Sequence, residues 1–161
     1  MTAKPDRRSH APPGTCTGDS QPTGGDDGEH GVLSAEIREK IARDPFCRRE
    51  GFVLEELRPG YARVSVRLSE DMLNFHGSAH GGLIFALADA AFAAASNSRG
   101  VPAVALTATI HYLRPARAGS TLVATATEEN VTRRTALYRV VVAAPEGPPV
   151  ATFSGLVYRK Q

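Results

Sequence analysis

The chain has 161 residues, a net charge of +2 and 42% hydrophobic residues, which points to one domain with a core of useful size. Acids and bases nearly balance, so neither a nucleic-acid-binding patch nor an acidic interaction tail is implied. No window approaches the roughly 20 apolar residues that cross a membrane, and the N-terminus lacks a signal peptide's apolar core, so a cytoplasmic protein is expected.

Residues 1–31 contain no Val, Ile, Leu, Phe, Tyr or Trp and are rich in Gly, Pro, Asp and Thr. Such a segment cannot bury enough apolar surface to offset its ordering entropy, so it reads as a disordered tail ahead of a domain at 32–161. Ser34 is placed to cap a short helix carrying Glu36, Ile37 and Ile41, which Asp44-Pro45 ends. Cys47 follows in a linker. It and Cys16 read as ordinary reduced thiols, and Cys47, His76 and His80 lack the spacing of a zinc site. No metal or other cofactor is expected.

Two strands come next, at 52–57 and 61–68, separated by a Pro59-Gly60 turn. In the second, Ala62, Val64, Val66 and Leu68 face one way and Tyr61, Arg63, Ser65 and Arg67 the other, the alternation of a half-buried antiparallel strand. A polar turn at Asn74-Phe75-His76-Gly77 leads into a helix at about 82–97, apolar around nearly its whole circumference and therefore covered on most sides. Four strands fit the remainder, at about 103–114, 121–131, 135–144 and 150–158. The order predicts an α+β fold in which a long antiparallel sheet wraps around one central helix. Edge strands and one sheet face are left in need of cover, so an oligomer is expected.

Asp89 is the one charged side chain between His80 and Arg99. An unpaired carboxylate in such apolar surroundings is costly or has its pKa pushed up, and a chain keeps that cost mainly where the group does chemistry. His80-Gly81-Gly82 opens the helix and offers backbone N–H groups where developing negative charge is stabilised. Acid, glycine-opened helix start and preceding polar turn suggest hydrolysis of a carbonyl substrate. Gly82 and Asp89 lie roughly 10 Å apart along a helix axis, too far for one reacting carbon to touch both. The simplest resolution is a composite site, with the amide from one subunit and Asp89 from its partner. Asn74 and the two histidines can instead brace the turn and cap the helix. Arg114, Arg117, Arg133 and Arg134 fall in turns, where Arg114 and Arg133 are candidates for pairing with phosphates.

The run Asn74-Phe-His76-Gly-Ser-Ala-His80-Gly81-Gly82-Leu-Ile-Phe85-Ala-Leu-Ala-Asp89 resembles the hotdog-fold acyl-CoA thioesterases. It is most similar to their phenylacetate-pathway (PaaI-type) branch, whose pattern is N-x-H-x-x-x-H-G-G-x-x-F-x-L-A-D. The similarity extends over about residues 37–159, through Tyr112-Leu113-Arg114-Pro115 and Gly119. The resemblance implies that Asp89 activates water or attacks the thioester, that the Gly81 amide polarises its carbonyl, and that Asn74 helps hold the water or the carbonyl. His80 and Gly82 would then flank the substrate. It also implies homodimers that pair into tetramers, active sites at the dimer interface, and coenzyme A thioesters such as phenylacetyl-CoA and its ring-hydroxylated derivatives as substrates. Phe92 departs from relatives that carry a small or polar residue there, which bears on acyl-pocket size. Two other readings compete. One is a hydroxyacyl thioester dehydratase using His76 and Asp89; the other is a non-catalytic acyl-CoA sensor, for which residues 1–31 supply no DNA-binding segment.

Overall fold

The computed structural model describes residues 34–160; the expected tail at 1–31 lies outside them. The chain opens with helix α1 (Ala35–Ala42), where Ser34 Oγ accepts the Ile37 amide at 3.2 Å as the N-cap. A second short helix, α2 (Pro45–Arg49), stands where a linker was expected. Asp44 caps it by accepting the Cys47 amide at 2.9 Å, and Pro45 fills the first helical position, whose amide has no intrahelical partner in any case. Asp44-Pro45 thus stops one helix and starts the next.

Strands β1 (Val53–Arg58) and β2 (Tyr61–Arg67) form a hairpin through Pro59-Gly60, with Gly60 at φ +75. After a 3-10 turn (Glu70–Met72) comes helix α3 (Gly81–Asn97), then β3 (Ala103–Tyr112), β4 (Thr121–Val131), β5 (Thr135–Ala143) and β6 (Pro149–Arg159). The strands form one antiparallel sheet of six in the order β1-β2-β4-β5-β6-β3. This is the expected sheet around a central helix.

α3 lies across one face of the sheet. Its buried side presents Ile84, Leu87, Ala88, Ala91, Phe92 and Ala95, and the alanines let the helix axis approach the strands closely. Phe92 packs between Tyr138 and Phe153, with ring centroids 5.7 and 5.5 Å away. Gly155 makes room for it, since a Cβ there would stand 2.7 Å from Phe92 Cζ.

Beyond α3 the chain is tied down by polar contacts. Ser98, fully buried, donates to Ala95 O and accepts the Gly60 amide, both at 2.7 Å. Arg99 forks onto Glu128 at 3.1 and 2.9 Å, and Tyr138 donates to the same carboxylate at 2.8 Å. One expectation about β2 fails: Ser65, assigned to the open face, is buried, as is Val123, its cross-strand partner.

Candidate active site

The approach to α3 is set by Asn74. Its Oδ1 accepts the amides of His76 (2.9 Å) and Ser78 (3.3 Å), its Nδ2 donates to Ser78 Oγ at 3.1 Å, and its backbone closes the loop with Ser78 and Gly77. Gly77, at φ +74, supplies the left-handed residue that the turn requires. The Asn74 side chain is thus engaged by its own loop.

His80 is the N-cap of α3, and its Nδ1 accepts the Gly82 amide at 2.9 Å. An imidazole accepting at Nδ1 carries its proton on Nε2. The amides of Leu83 and Ile84 both reach His80 O, at 3.0 and 3.2 Å. Gly81 is therefore the first-turn residue whose amide has no partner among the described residues, and the helix macrodipole adds to its pull on negative charge. Glycine at 82 leaves room for the His80 cap, since a Cβ there would sit 3.0 Å from His80 Nδ1 and press the ring back by a few tenths of an ångström. Tyr112, at the end of β3, donates to Gly81 O at 2.9 Å and pins the helix start to that edge of the sheet.

Asp89 follows two turns later, half-buried, with burial raising its carboxyl above the ordinary carboxylate pKa. It has no hydrogen bond or ion pair among the described residues. It falls on the stripe of α3 turned away from the sheet, where Gly82 and Ala93 are exposed and Ala86 and Asn97 half-covered. α3 is continuous from Gly81 to Asn97, so Gly81 and Asp89 are about 12 Å apart along the axis. The structure places both expected groups on one helix and does not bring them together within one chain.

A groove of about 540 Å³ opens beside the acid, between α1–α2 and α3. Sequence reading missed it, because α2 went unrecognised and the groove exists only once α1 and α2 fold back over α3. Ile41, Lys40, Asp44 and Cys47 line it together with Asp89 and Ala90. Burial pushes the Cys47 thiol up to about 12, so it stays protonated and is a poor nucleophile. Phe92, expected to bear on pocket size, points at the sheet and not into this groove.

The two arginines considered for phosphate lie far apart. Arg114 donates to Pro149 O at the start of β6 (2.9 Å), whereas Arg133 sits in the β4–β5 turn, beside which Arg159 at the end of β6 donates to Thr132 O (2.6 Å). The 11 residues of β6 span roughly 33 Å. Within a single chain the two arginines cannot grip one ligand together. Among the described residues, no group of three or more His, Cys, Asp or Glu is placed to hold a metal ion. No helix of the described residues is long and apolar enough to cross a membrane.

Known proteins share this fold. The thioesterase superfamily model matches residues 62–151, which hold β2, α3 and all the strands up to the start of β6. The acyl-coenzyme A thioesterase PaaI of Escherichia coli is 40% identical over 116 residues, 72% of this chain and 83% of that protein. Its solved structure superposes with a TM-score of 0.75, covering 80% of this chain and 96% of that one at 36% identity. The TT0310 protein of Thermus thermophilus is 52% identical, with a TM-score of 0.70 over 73% of this chain and 99% of its own. A protein of Streptococcus mutans solved with acetyl-CoA bound is 29% identical, with a TM-score of 0.65 over 68% of this chain and 88% of its own. The chain belongs to the thioesterase superfamily, among its hotdog-fold acyl-CoA thioesterases of the PaaI type.

Proposed function

We propose that the protein hydrolyses acyl-CoA thioesters, with arylacetyl or medium-chain acyl groups, to a free acid and coenzyme A in the cytoplasm. The observation that carries this reading is the presence on α3 of an amide at Gly81 and a half-buried carboxylate at Asp89, both without a partner among the described residues. Thioester hydrolysis needs a donor for the oxyanion and a base or nucleophile. The bareness of Gly81 fits the first role. A Cβ there would meet Tyr112 only at an ordinary 3.4 Å, so packing within the chain does not demand glycine, whereas a carbonyl approaching the amide does. Acyl-CoA as the substrate class is supported by the activity named for the Escherichia coli relative and by the acetyl-CoA bound to the Streptococcus mutans neighbour.

The 12 Å problem is resolved by a second copy. β3 is an edge strand of ten residues without Asp, Glu, Lys or Arg, and Val104, Leu106 and Tyr112 along it are 43%, 54% and 53% exposed. A long, uncharged, apolar edge is a template for pairing. Two copies joined antiparallel through β3 about a two-fold axis extend the sheet and lay α3 beside α3. The Tyr112 end of one protomer, where Gly81 lies, then faces the Ala103 end of the other. Each site takes its amide from one protomer and its acid from the partner's Asp89. The same pairing carries Arg114 towards the partner's Arg133, where the two can share the phosphates of one coenzyme A. Two such dimers join as a tetramer.

Asp89 acts in one of two ways. As a base it takes a proton from water while the water oxygen attacks the thioester carbon. The carbonyl oxygen, now negative, accepts a hydrogen bond from Gly81, and collapse breaks the C–S bond as the sulfur leaves with that proton. As a nucleophile its carboxylate displaces the thiolate to form a mixed anhydride, which water then cleaves. Single turnover in ¹⁸O-water reveals the covalent route when water opens the anhydride at the Asp89 carbonyl, which leaves the label in Asp89. Opening at the acyl carbon labels the product acid as the base route does, and trapping the anhydride with hydroxylamine then tells the two apart. The primary test is thiol release from phenylacetyl-, hydroxyphenylacetyl-, benzoyl- and straight-chain acyl-CoA, with Asp89→Asn in parallel. The expected result is turnover of at least one ester that drops about 10²–10⁴-fold in the variant. Turnover of none, or a fully active variant, overturns the reading.

A further inference from the structure

We propose that Tyr112 is a positioning residue for the oxyanion donor: its hydroxyl holds the Gly81–Gly82 peptide in place and so aims the neighbouring Gly81 amide. The proposal rests on the hydrolase reading above. Tyr112 acts through the start of α3 and does not itself meet the reacting atoms.

The need for such a hold follows from the residues at the helix start. Glycine loses more freedom on ordering than any other residue, and here two stand side by side. An oxyanion donor works by being fixed in advance, so that nothing has to reorganise as the charge develops. His80-Gly81-Gly82 therefore sets an open amide in intrinsically pliable backbone.

Both peptide planes around the donor are gripped. The plane that carries the Gly81 N–H also carries His80 O, which accepts the Leu83 and Ile84 amides at 3.0 and 3.2 Å. The next plane carries Gly81 O and the Gly82 N–H. His80 Nδ1 accepts that N–H at 2.9 Å, and Tyr112 Oη donates to that oxygen at 2.9 Å. A peptide unit is rigid in its plane, so bonds at its two ends fix the dihedrals on either side of it. Three of these four bonds arise within residues 80–84, whereas the fourth reaches in from 31 residues away.

Packing does not explain the Tyr112 hydroxyl. On β3 Tyr112 shares the α3-facing side with Ile110, and the cross-strand partners of the two, Ala151 and Phe153, are buried. The ring tip stands beside the Gly81 α-carbon, an arrangement that a phenylalanine would keep. Tyr112 is 53% exposed, so water could satisfy the hydroxyl and burial does not force the bond.

β3 is also the edge through which a second copy pairs in the reading above. At the other end of the strand Asn97 Oδ1 accepts the Ala103 amide (2.9 Å) and its Nδ2 donates to Ala103 O (3.3 Å). α3 is thus pinned at both ends to the strand that meets the partner. Through Tyr112 the position of that edge reaches the donor, which keeps Gly81 in register with the partner's Asp89.

Tyr112→Phe removes the hydroxyl and keeps the ring. The expected result is a kcat about tenfold below wild type, a smaller loss than the roughly 10²–10³-fold of deleting a donor outright. KM should stay within about twofold, the signature of an interaction that matters in the transition state. Melting temperature and light-scattering mass should match the wild type. Amide hydrogen exchange reads the clamp directly: Gly82 should exchange about fivefold faster in the variant, as loss of one supporting hydrogen bond allows, while Leu87 and Ala91 keep their rates. An unchanged kcat, a rise in KM alone, an unaltered Gly82 rate, or a loss of activity that tracks subunit dissociation overturns the proposal. If the wild type hydrolyses no ester, the hydrolase reading fails by itself. Exchange at Gly82 then decides the clamp: acceleration in Tyr112→Phe supports it, and an unaltered rate refutes it.

Discussion

His80 Nδ1 accepts the amide of Gly82 at 2.9 Å, which leaves Gly81 as the open donor at the start of α3. His80→Ala removes an N-cap worth about 1 kcal/mol and should lower Tm by several degrees. His80→Asn, which keeps an acceptor at the cap, should recover most of that loss. Turnover in His80→Ala should fall far less than in Asp89→Asn, because the Gly81 amide remains. A variant that melts like the wild type but is inactive would show the imidazole acting in the chemistry and not as a cap.

Asp89 has its carboxyl pKa raised by burial, the reverse of the usual carboxylate case. The folded state holds this proton more tightly than the unfolded state, so the group lowers stability as pH rises from the ordinary carboxylate pKa through its folded one. Asp89→Asn should therefore resist urea better than the wild type at pH 8. The gap should close as pH falls towards the ordinary carboxylate range. Activity should run the opposite way, rising with pH as the carboxylate forms. Urea melts at several pH values and a pH–rate profile check both signs.

Glu128 has the opposite environment. Burial by itself would raise its pKa, but the hydrogen bonds from Arg99 and Tyr138 outweigh this and hold it below the usual value. Its contribution to stability is present above the ordinary carboxylate pKa and is lost as pH falls through the lowered folded one. Glu128→Ala leaves a largely buried guanidinium and a tyrosine hydroxyl unpaired, and should cost roughly 3 kcal/mol. Chemical denaturation at pH 7 measures this, and the difference from wild type should shrink in acid.

Leu106, at a register shift in the middle of β3, is 54% exposed on an otherwise uncharged edge. Leu106→Asp places a desolvated charge in a β3–β3 pairing. Light scattering should show the oligomer dissociating, and thiol release should fall with it even though each protomer keeps its own Asp89 and Gly81. An active monomer would remove the case for a site shared between copies.

The local elements were readable because their signals are local. α3 begins one residue before the expected 82–97, and β4 has the expected bounds, since both follow from periodicity and from glycine or turn residues at their ends. α2 was missed because Asp44-Pro45 carries two meanings, a stop for the helix before and a cap with a first-turn proline for the helix after. Ser65 was misplaced because alternation along one strand does not register which part of a sheet face its neighbours cover. The role of His80 as a cap was among the readings open from the sequence; only coordinates show that its Nδ1 takes the Gly82 amide.

The sequence by itself determined the fold class and the family, and it offered the two groups on which the proposed mechanism rests, an acid in an apolar helix and glycines at that helix's start. These rest on the identities and spacing of residues within one segment. The tertiary structure decided what each group is free to do. It closed Asn74 on its own loop, used up the Gly82 amide, left Gly81 and Asp89 without partners among the described residues, and set Arg114 and Arg133 at opposite ends of the sheet. It also raised α1 and α2 over α3 to make a groove. Hydrogen-bond availability and cavity shape depend on which distant segments meet, and no one-dimensional pattern carries that.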